Sequence, residues 1–340
     1  MSAFIDCYRE RFGVEPICQT LDVSASAYYQ RATGERSARS VEDERLTARI
    51  REVHEQNFEC YGYPRVWQEL QREGEDVGRD HVARLMRQEG IRGAKRRGKP
   101  WRTTIADPAA PKRPDLVNRV FTADRPDALW VGDLTYLRTW EGRMYFAFLI
   151  DVFSRMIVGW QLATHMRCDL VLDALRMALG LRRPGADVQL VAHTDQGSQY
   201  TAEDYTQVLD DHRVLASVGS VGDCYDNALS ESFVDSYKTE LIADRVWRTN
   251  AQLELATVQY VGWFNHRRLH SSIGNRPPVE HEREYWARVA LGLEPGPAQA
   301  APTVSDLRGV ATVACSDACG ADRTDCTGPI GEEDALELLT

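Results

Sequence analysis

The sequence Leu129-Trp-Val-Gly-Asp-Leu-Thr-Tyr-Leu-Arg-Thr139 sets the architecture that the rest of the chain can adopt. It is rich in β-branched and aromatic residues, and the turn signal Glu141-Gly142 follows it, which is typical of a strand that enters a hairpin. Met144–Phe153 and Met156–Ala163 have the same character. We therefore predict three adjacent strands that form a meander.

Beyond these strands the pattern alternates between helix and strand. Apolar residues at helical spacing predict helices over three ranges: Asp169–Leu181, Tyr200–Asp211 and Asn227–Leu241. Short apolar runs predict two further strands: Val188–His193 and Val214–Val218. A meander followed by alternating elements predicts an α/β layer with a mixed sheet.

The residues before the meander are predicted to be helical. Near the N-terminus, Pro16–Leu21 and Ala25–Arg31 read as two short helices, the second capped by Ser24, in a helix-turn-helix or a plain helical hairpin. Residues 41–91 contain three apolar stripes separated by Tyr61-Gly-Tyr-Pro64 and by glycines. Four prolines between residues 106 and 127 indicate a linker before the sheet.

The charge of the chain is unevenly distributed. A net charge of -10 argues against a DNA partner, because a duplex is bound largely through Lys and Arg contacts to phosphate. However, residues 79–102 carry +7 and residues 292–340 carry -7, so the tail accounts for most of the acidity. The basic stretch is either a solvated surface helix or a phosphate-binding surface, and its scarcity of acids favours the second. The tail is expected to be disordered, and its Cys315, Cys319 and Cys326 are a weak metal signal.

Membrane and secreted classes are excluded on the sequence. Uncharged stretches such as Met156–Met166 reach 11 residues, below the ~20 that a spanning helix needs. The N-terminus has no signal-peptide apolar segment, and the eight cysteines include no CxxC pair. We expect a cytoplasmic protein without a membrane partner.

Three carboxylates are candidates for catalysis. Asp133 lies within an apolar strand, Asp195 ends a buried strand, and Glu231 lies one turn inside a helix. Together they could form the oxygen-rich site that Mg²⁺ prefers, and two such ions suit phosphodiester chemistry. Taken singly, each has a structural explanation: a buried ion pair, a turn aspartate and a solvated helix residue. Asp151 is a fourth candidate, although a structural pairing with Arg155 is favoured.

The sequence motifs around these residues resemble those of a known family. The motifs are Trp130–Tyr136, Ile150–Arg155 with Val158-Gly-Trp160, His193–Tyr200, Asp226–Glu231 and Asn265–Ser272. With the 35 residues between Asp195 and Glu231, they resemble the OrfB product of IS-three family insertion-sequence transposases, which share an Asp-Asp-Glu triad with retroviral integrases. Residues 41–104 resemble the helical DNA-binding domain of that family. The resemblance covers about residues 1–290.

The resemblance implies a ribonuclease-H-like α/β catalytic core with a mixed sheet, preceded by an all-helical helix-turn-helix region and followed by a disordered acidic C-terminal tail. The division expected is a helix-turn-helix-like segment (1–33), a helical DNA-binding domain with a basic arm (41–104), a Pro-rich linker (105–127), an integrase-like catalytic domain (128–290) and the tail (291–340). Asp133, Asp195 and Glu231 would bind two Mg²⁺ ions, with Mn²⁺ able to substitute. The activity implied is cleavage at the element's ends followed by strand transfer, in which the freed 3′-hydroxyl attacks a phosphodiester.

The resemblance also implies partners and DNA contacts. The implied substrate partner is DNA, both the terminal inverted repeats of the element and the target. A homo-oligomer is also implied, and a helix-turn-helix protein from an upstream frame is a candidate partner. The protein would be associated with the nucleoid. Lys238 lies two helical turns after Glu231 and is expected to hold a phosphate. The other expected DNA contacts are Arg84, Arg87, Lys95, Arg96, Arg97, His266 and Arg267.

Alternatives and departures remain. A hydrolytic nuclease on the same fold and a non-catalytic DNA-binding regulator are the competing functions. His266 and His270 could bind zinc, but DNA contact or core packing is favoured. Asp223 and Asp226 are explained by turn and capping roles. Ser217–Gly222 is poorer in basic residues than the corresponding loop of the family, and the acidic tail is not part of the family pattern.

Overall fold

The computed structural model describes residues 1–32, 36–95, 117, 121–184, 189–195, 197–219, 228–243 and 245–293.

The N-terminal residues form a small three-helix unit. The helices are α1 (Ser2–Phe12), α2 (Val14–Thr20) and α3 (Ala25–Ala32). As predicted, the Ser24 hydroxyl accepts a hydrogen bond from the backbone N–H of Ala27, at 3.3 Å. The helix α1 was not predicted; only Ile5 of its apolar residues joins the core of this unit, so its aromatic residues gave no buried stripe.

The second helical unit contains α4 (Ala38–Gln56), α5 (Tyr63–Arg72) and α6 (Arg79–Gln88). The predicted apolar stripes form its core. They are Leu46, Ile50 and Val53 on α4, Val66 and Leu70 on α5, and Val82, Leu85 and Met86 on α6. After α5, Gly74 has a φ of 86°, a conformation that glycine adopts without strain. The periodicity therefore predicted this unit well.

A five-stranded mixed sheet forms the centre of the larger domain. Its strands are β1 (Leu129–Thr139), β2 (Gly142–Asp151), β3 (Ile157–Ala163), β4 (Val191–Thr194) and β5 (Leu215–Val218). The order is β3-β2-β1-β4-β5, with the first three antiparallel and β1, β4 and β5 parallel. The predicted α/β class and mixed sheet are confirmed.

Helices cover both faces of this sheet. They are α7 (Cys168–Arg182), α8 (Glu203–Asp211), α9 (Ala228–Tyr237), α10 (Asn250–His266) and α11 (Pro278–Ala290). On one face α7 crosses β3 so closely that a Cβ on Gly159 would lie 2.2 Å from the Ala174 carbonyl oxygen. On the other face α9 continues as a π-helical turn, Lys238–Ile242, where one uninterrupted helix was expected.

The second helical unit packs directly against the sheet domain. The indole Nε1 of Trp263 donates to the Asn57 side-chain oxygen at 2.9 Å, and the backbone N–H of Leu269 donates to the Tyr61 hydroxyl oxygen at 2.7 Å. At the rim, Arg72 pairs with Glu280 at 2.7 Å. The buried apolar residues of both units form one continuous cluster, so α4–α6 and α10 share a core.

Several predictions fall outside the described residues. These are the basic arm from residue 96 on with Arg96 and Arg97, most of the Pro-rich linker (105–116 and 118–120), Asp223, the proposed cap at Asp226 or Asn227, and the tail from residue 294 on with its three cysteines. Of the helices that are described, none is long and apolar enough to cross a membrane.

Candidate active site

The candidate site lies where β1 extends beyond the end of its pairing with the parallel strand β4. The strand β1 pairs with β2 along its whole length, but its register with β4 covers only Leu129–Val131. Asp133 follows two residues later, and its carboxylate accepts the N–H of Leu134 at 2.7 Å. A side chain at this position therefore borders an edge that, in the described part of the chain, carries no strand.

The register of β4 brings Asp195 to the same level. His193 pairs with Val131, so Asp195 lies two residues beyond the ladder on β4, as Asp133 does on β1. A carboxylate oxygen of Asp195 accepts the N–H of Gly197 at 3.1 Å, which folds the chain into a turn directly after the strand. The parallel pairing thus places two carboxylates side by side at one edge of the sheet.

Glu231 reaches this edge from above on α9. The apolar face of α9 lies on β2, with ring centroids 4.5 Å apart for Phe148 and Phe233 and 4.7 Å apart for Phe146 and Tyr237. Because Phe148 is the cross-strand partner of Asp133, this stacking holds α9 over the acidic edge. Glu231 itself is exposed.

The charges of Asp195 and Glu231 act on the carboxylate of Asp133. Burial raises the pKa of Asp133 well above its usual range, and the negative charges of Asp195 and then Glu231 raise it further. The Leu134 N–H and the positive charge of Lys238 oppose this increase. Although Glu231 is exposed, the part of its side chain that protein covers is desolvated, and this raises its pKa. Asp195, Glu231 and Lys238 therefore all lie near enough to Asp133 to act on its charge.

The donor set suits a hard divalent cation. All three side chains offer carboxylate oxygens, and a doubly positive ion would relieve the repulsion that favours the protonated form of Asp133. In the described ranges no three acidic, histidine or cysteine side chains stand close enough to enclose one ion as they are placed. The residues fit the cation by chemistry and charge, and its binding would draw the carboxylates together.

Lys238 completes the charge pattern. Its Nζ lies 5.3 Å from the centroid of the Tyr136 ring, and its charge acts on Asp133. Burial lowers the pKa of Lys238, while the charges of Asp133 and Asp235 raise it less strongly. A cation beside the carboxylates can hold a phosphate oxygen, and this role of Lys238 stays a prediction.

The predicted DNA contacts of the helical unit differ in their surroundings. Arg84 is engaged inside the unit, because its guanidinium donates to both oxygens of the Asp43 carboxylate at 2.8 and 2.9 Å. Arg87 and Lys95 are exposed. The prediction of a phosphate-binding surface at α6 therefore depends on Arg87 and the following arm.

The two predicted contacts after α10 also differ. His266 is exposed, whereas Arg267 donates to the Gln56 side-chain oxygen at 3.2 Å, across the contact between the two units. His270 is buried against Phe264, and burial lowers its pKa well below the usual range. His270 is thus a neutral core residue, in agreement with the core packing that was favoured over zinc.

Asp151 and Arg155 interact through their charges, because the negative charge of Asp151 acts on the Arg155 guanidinium, but no direct ion pair joins them among the described residues. The Asp151 carboxylate accepts hydrogen bonds from the Ser154 hydroxyl at 2.6 Å, the Ser154 N–H at 2.7 Å and the Asp127 N–H at 3.0 Å. The Nε and Nη1 atoms of Arg155 are buried, and no described residue forms a hydrogen bond with them. A local turn satisfies Asp151 before a long side chain can reach it.

A buried polar network around Glu240, at the contact with the second helical unit, was not predicted. Glu240 accepts two hydrogen bonds from Arg268, at 2.6 and 2.9 Å, and one from the Tyr260 hydroxyl at 2.8 Å. Arg65 of the helical unit approaches the same carboxylate at 3.5 Å. In the sequence, this network could have been suspected from the arginine pair in Asn265-His-Arg-Arg-Leu-His270. In the structure Arg268 of that pair is buried and Arg267 is exposed.

Comparison with known proteins adds independent findings. Families described as "Integrase core domain" match residues 123–224 and 212–278, ranges that include all three candidate carboxylates, and an "HTH-like domain" family matches residues 41–99. The chain is 45% identical over 294 residues to the transposase for insertion sequence element IS629 of Shigella sonnei, covering 85% of this chain and 98% of that one. It is 36% identical over 248 residues to the transposase for IS904 of Lactococcus lactis, covering 73% and 97%.

A solved structure shows a more distant likeness. The catalytic core domain of BIV integrase is 19% identical and covers 48% of this chain and 99% of that one, with a TM-score of 0.36.

Proposed function

This chain belongs to the insertion-sequence transposases that carry an integrase core domain and an HTH-like domain, and we propose that Asp133, Asp195 and Glu231 are its catalytic carboxylates. As a DNA transposase it is a polynucleotidyl transferase. The observation that supports this assignment of residues is that Asp133 and Asp195 lie at the same level beyond the β1–β4 ladder, where the charges of Asp195, Glu231 and Lys238 all act on Asp133.

The carboxylates would hold divalent metal. We infer two Mg²⁺ ions, with Mn²⁺ as a substitute, held by Asp133 and Asp195 from the sheet and by Glu231 from the helix. When bound, such ions supply Lewis-acid activation of the attacking oxygen and stabilisation of the leaving oxygen. Lys238 would bind a non-bridging phosphate oxygen and orient the scissile phosphodiester.

The reaction has two phosphoryl-transfer steps. Water attacks a phosphodiester at the element's end, the bond from phosphorus to the 3′-oxygen breaks, and a proton restores the free 3′-hydroxyl. That hydroxyl then attacks a target phosphodiester and loses its proton, and the target's own 3′-oxygen leaves. The two steps require no covalent bond between protein and DNA, since water and then the 3′-hydroxyl are the attacking groups.

The partners follow from this chemistry. We propose terminal inverted repeats and target DNA as substrates, which would bring the protein to the nucleoid, and a homo-oligomer that pairs the two ends. A helix-turn-helix protein from an upstream frame is a further proposed partner. Arg87, Lys95, Arg96, Arg97 and His266 are proposed to contact DNA, whereas Arg84 and Arg267 would have to leave their present partners.

Calorimetric titration of the full-length protein with Mn²⁺ tests the metal assignment without relying on activity. The wild type should bind the ion, and Asp195→Ala should lose most of this binding. The control is Asp204→Ala, which removes an exposed carboxylate from α8 and should bind as the wild type does. Equal binding by Asp195→Ala would refute the assignment.

A further inference from the structure

The hairpin between β1 and β2 ends in an exposed tryptophan. Trp140 has 71% of its surface exposed, although tryptophan is among the side chains with most apolar area to bury. The guanidinium carbon of Arg248 lies 5.3 Å from the centroid of its ring. An exposed indole that holds an arginine in place is typical of a surface that contacts a partner.

Two more arginines face each other just below this tip. Arg138 and Arg143 are direct cross-strand partners in the antiparallel ladder, and both are exposed. Like charges in this position destabilise a sheet. Neither arginine has an acidic partner in the part of the chain that the structure describes. An anion between or above the two guanidinium groups would remove this repulsion.

The nearest acid is already engaged. A carboxylate oxygen of Glu141 accepts the backbone N–H of Asn250 at 2.7 Å, at the first turn of α10. The backbone N–H of Trp140 donates to the backbone carbonyl of Trp247 at 3.0 Å, and the Thr139 hydroxyl donates to the side-chain oxygen of Asn250 at 2.8 Å. These bonds fix the tip against the segment that carries Arg248, so the basic groups are held in place before any ligand binds.

The tip lies along the same strand as the active site. Arg138 and Trp140 are five and seven residues beyond Asp133, or about 17 and 23 Å at ~3.3 Å per residue. Tyr136, whose ring centroid lies 5.3 Å from the Nζ atom of Lys238, is between Asp133 and Arg138 on this strand. For a duplex whose axis runs along β1, with a rise of ~3.4 Å per base pair, this span would correspond to about five to seven base pairs.

We propose that Arg138, Trp140, Arg143 and Arg248, the hairpin patch, bind the phosphate backbone of the duplex whose scissile phosphate lies at Asp133. The arginines contact phosphates about five to seven base pairs from that position, and Trp140 supports Arg248. Backbone contacts of this kind set the register of the duplex without reading its sequence. The inference builds on the proposed active site, but its test does not depend on catalysis.

The first test is a salt titration of binding by the full-length protein to a 30-base-pair duplex of arbitrary sequence. The variant Arg138→Gln/Arg143→Gln should bind about tenfold or more weakly at 0.1 M salt. The slope of log K against log [salt] should become shallower by about 1.8, the value for two lost phosphate contacts. The control Arg213→Gln removes an exposed arginine from the opposite end of the sheet and should leave both values unchanged. An unchanged slope in the double variant would overturn the proposal.

Trp140→Ala, compared with Trp286→Ala on α11, tests the support of Arg248. Trp286 is also half-exposed and lies at the far end of the sheet domain. Only Trp140→Ala should weaken binding, by about threefold to tenfold. Equal binding by both variants would remove Trp140 from the patch.

Phosphate ethylation interference on a duplex that carries the element's terminal repeat locates the contact. Ethylation about five to seven base pairs from the cleavage position should interfere with binding by the wild type but not by the double variant. Interference only at the cleavage position would overturn the proposal. Failure of strand transfer by the wild type would count against the active-site assignment and would leave these binding results to judge the hairpin patch separately.

Discussion

The removal of one oxygen atom at the contact between the helical unit and the sheet domain should measurably destabilise the protein. In Tyr61→Phe, the backbone N–H of Leu269 loses the acceptor that lies 2.7 Å away. Both groups are completely buried, so water cannot replace the lost hydroxyl. The ring stays in place against Trp263, which confines the change to the hydrogen bond.

The expected loss follows from the desolvation of that N–H. A buried donor without an acceptor costs about 1–3 kcal/mol. The ratio of folded to unfolded protein should therefore fall about 5-fold to 150-fold. Urea unfolding followed by tryptophan fluorescence measures this as a lower midpoint with an unchanged slope.

Tyr63→Phe is the matched control. Tyr63 lies two residues along the chain, at the start of α5, and has 41% of its surface exposed. Its hydroxyl can be removed without leaving a buried group unpaired, so its midpoint should equal that of the wild type. Equal stability of Tyr61→Phe and Tyr63→Phe would refute the view that the two units share one core.

Three further predictions follow from the structure and charge of the chain. Glu240→Gln leaves the buried Arg268 without its counter-charge and should lower the free energy of unfolding by about 3–5 kcal/mol; thermal denaturation measures this, and a midpoint equal to that of the exposed-site control Glu254→Gln would contradict it. Lys238→Ala should reduce the affinity for a duplex at least threefold and Lys238→Arg should restore it, whereas equal binding by all three proteins would exclude a phosphate contact. Deletion of residues 292–340 removes a charge of -7 and should tighten duplex binding, most clearly at low salt; a salt-independent or opposite effect in a binding titration would contradict this.

The strands of the sheet were predictable because their periodicity and turn residues are local. The predicted Leu129–Thr139 agrees with β1 at both ends, and the other strands shift by only a few residues. The extent of the β1–β4 ladder is different in kind. Its three-residue register, which creates the open edge beside Asp133, depends on where two distant segments meet.

The contact between the two units could not be read from local patterns. Asn57 and Trp263 are 206 residues apart, and neither has a neighbour in sequence that indicates its partner. Asp151 is a different case, because the favoured partner, Arg155, and the observed hydrogen-bond donor, Ser154, lie only four and three residues away. Family resemblance identified the carboxylates, whereas the shared core and the polar network around Glu240 required the fold.

Strand transfer by Asp195→Ala tests the central assignment most directly. The assay supplies a duplex carrying the element's terminal repeat, a target duplex and Mg²⁺, and it measures end binding in parallel. Joined product should disappear in Asp195→Ala while end binding remains nearly intact, and Asp204→Ala should join DNA as the wild type does. Metal-dependent joining by Asp195→Ala at the wild-type level would contradict the assignment of the active site to Asp133, Asp195 and Glu231.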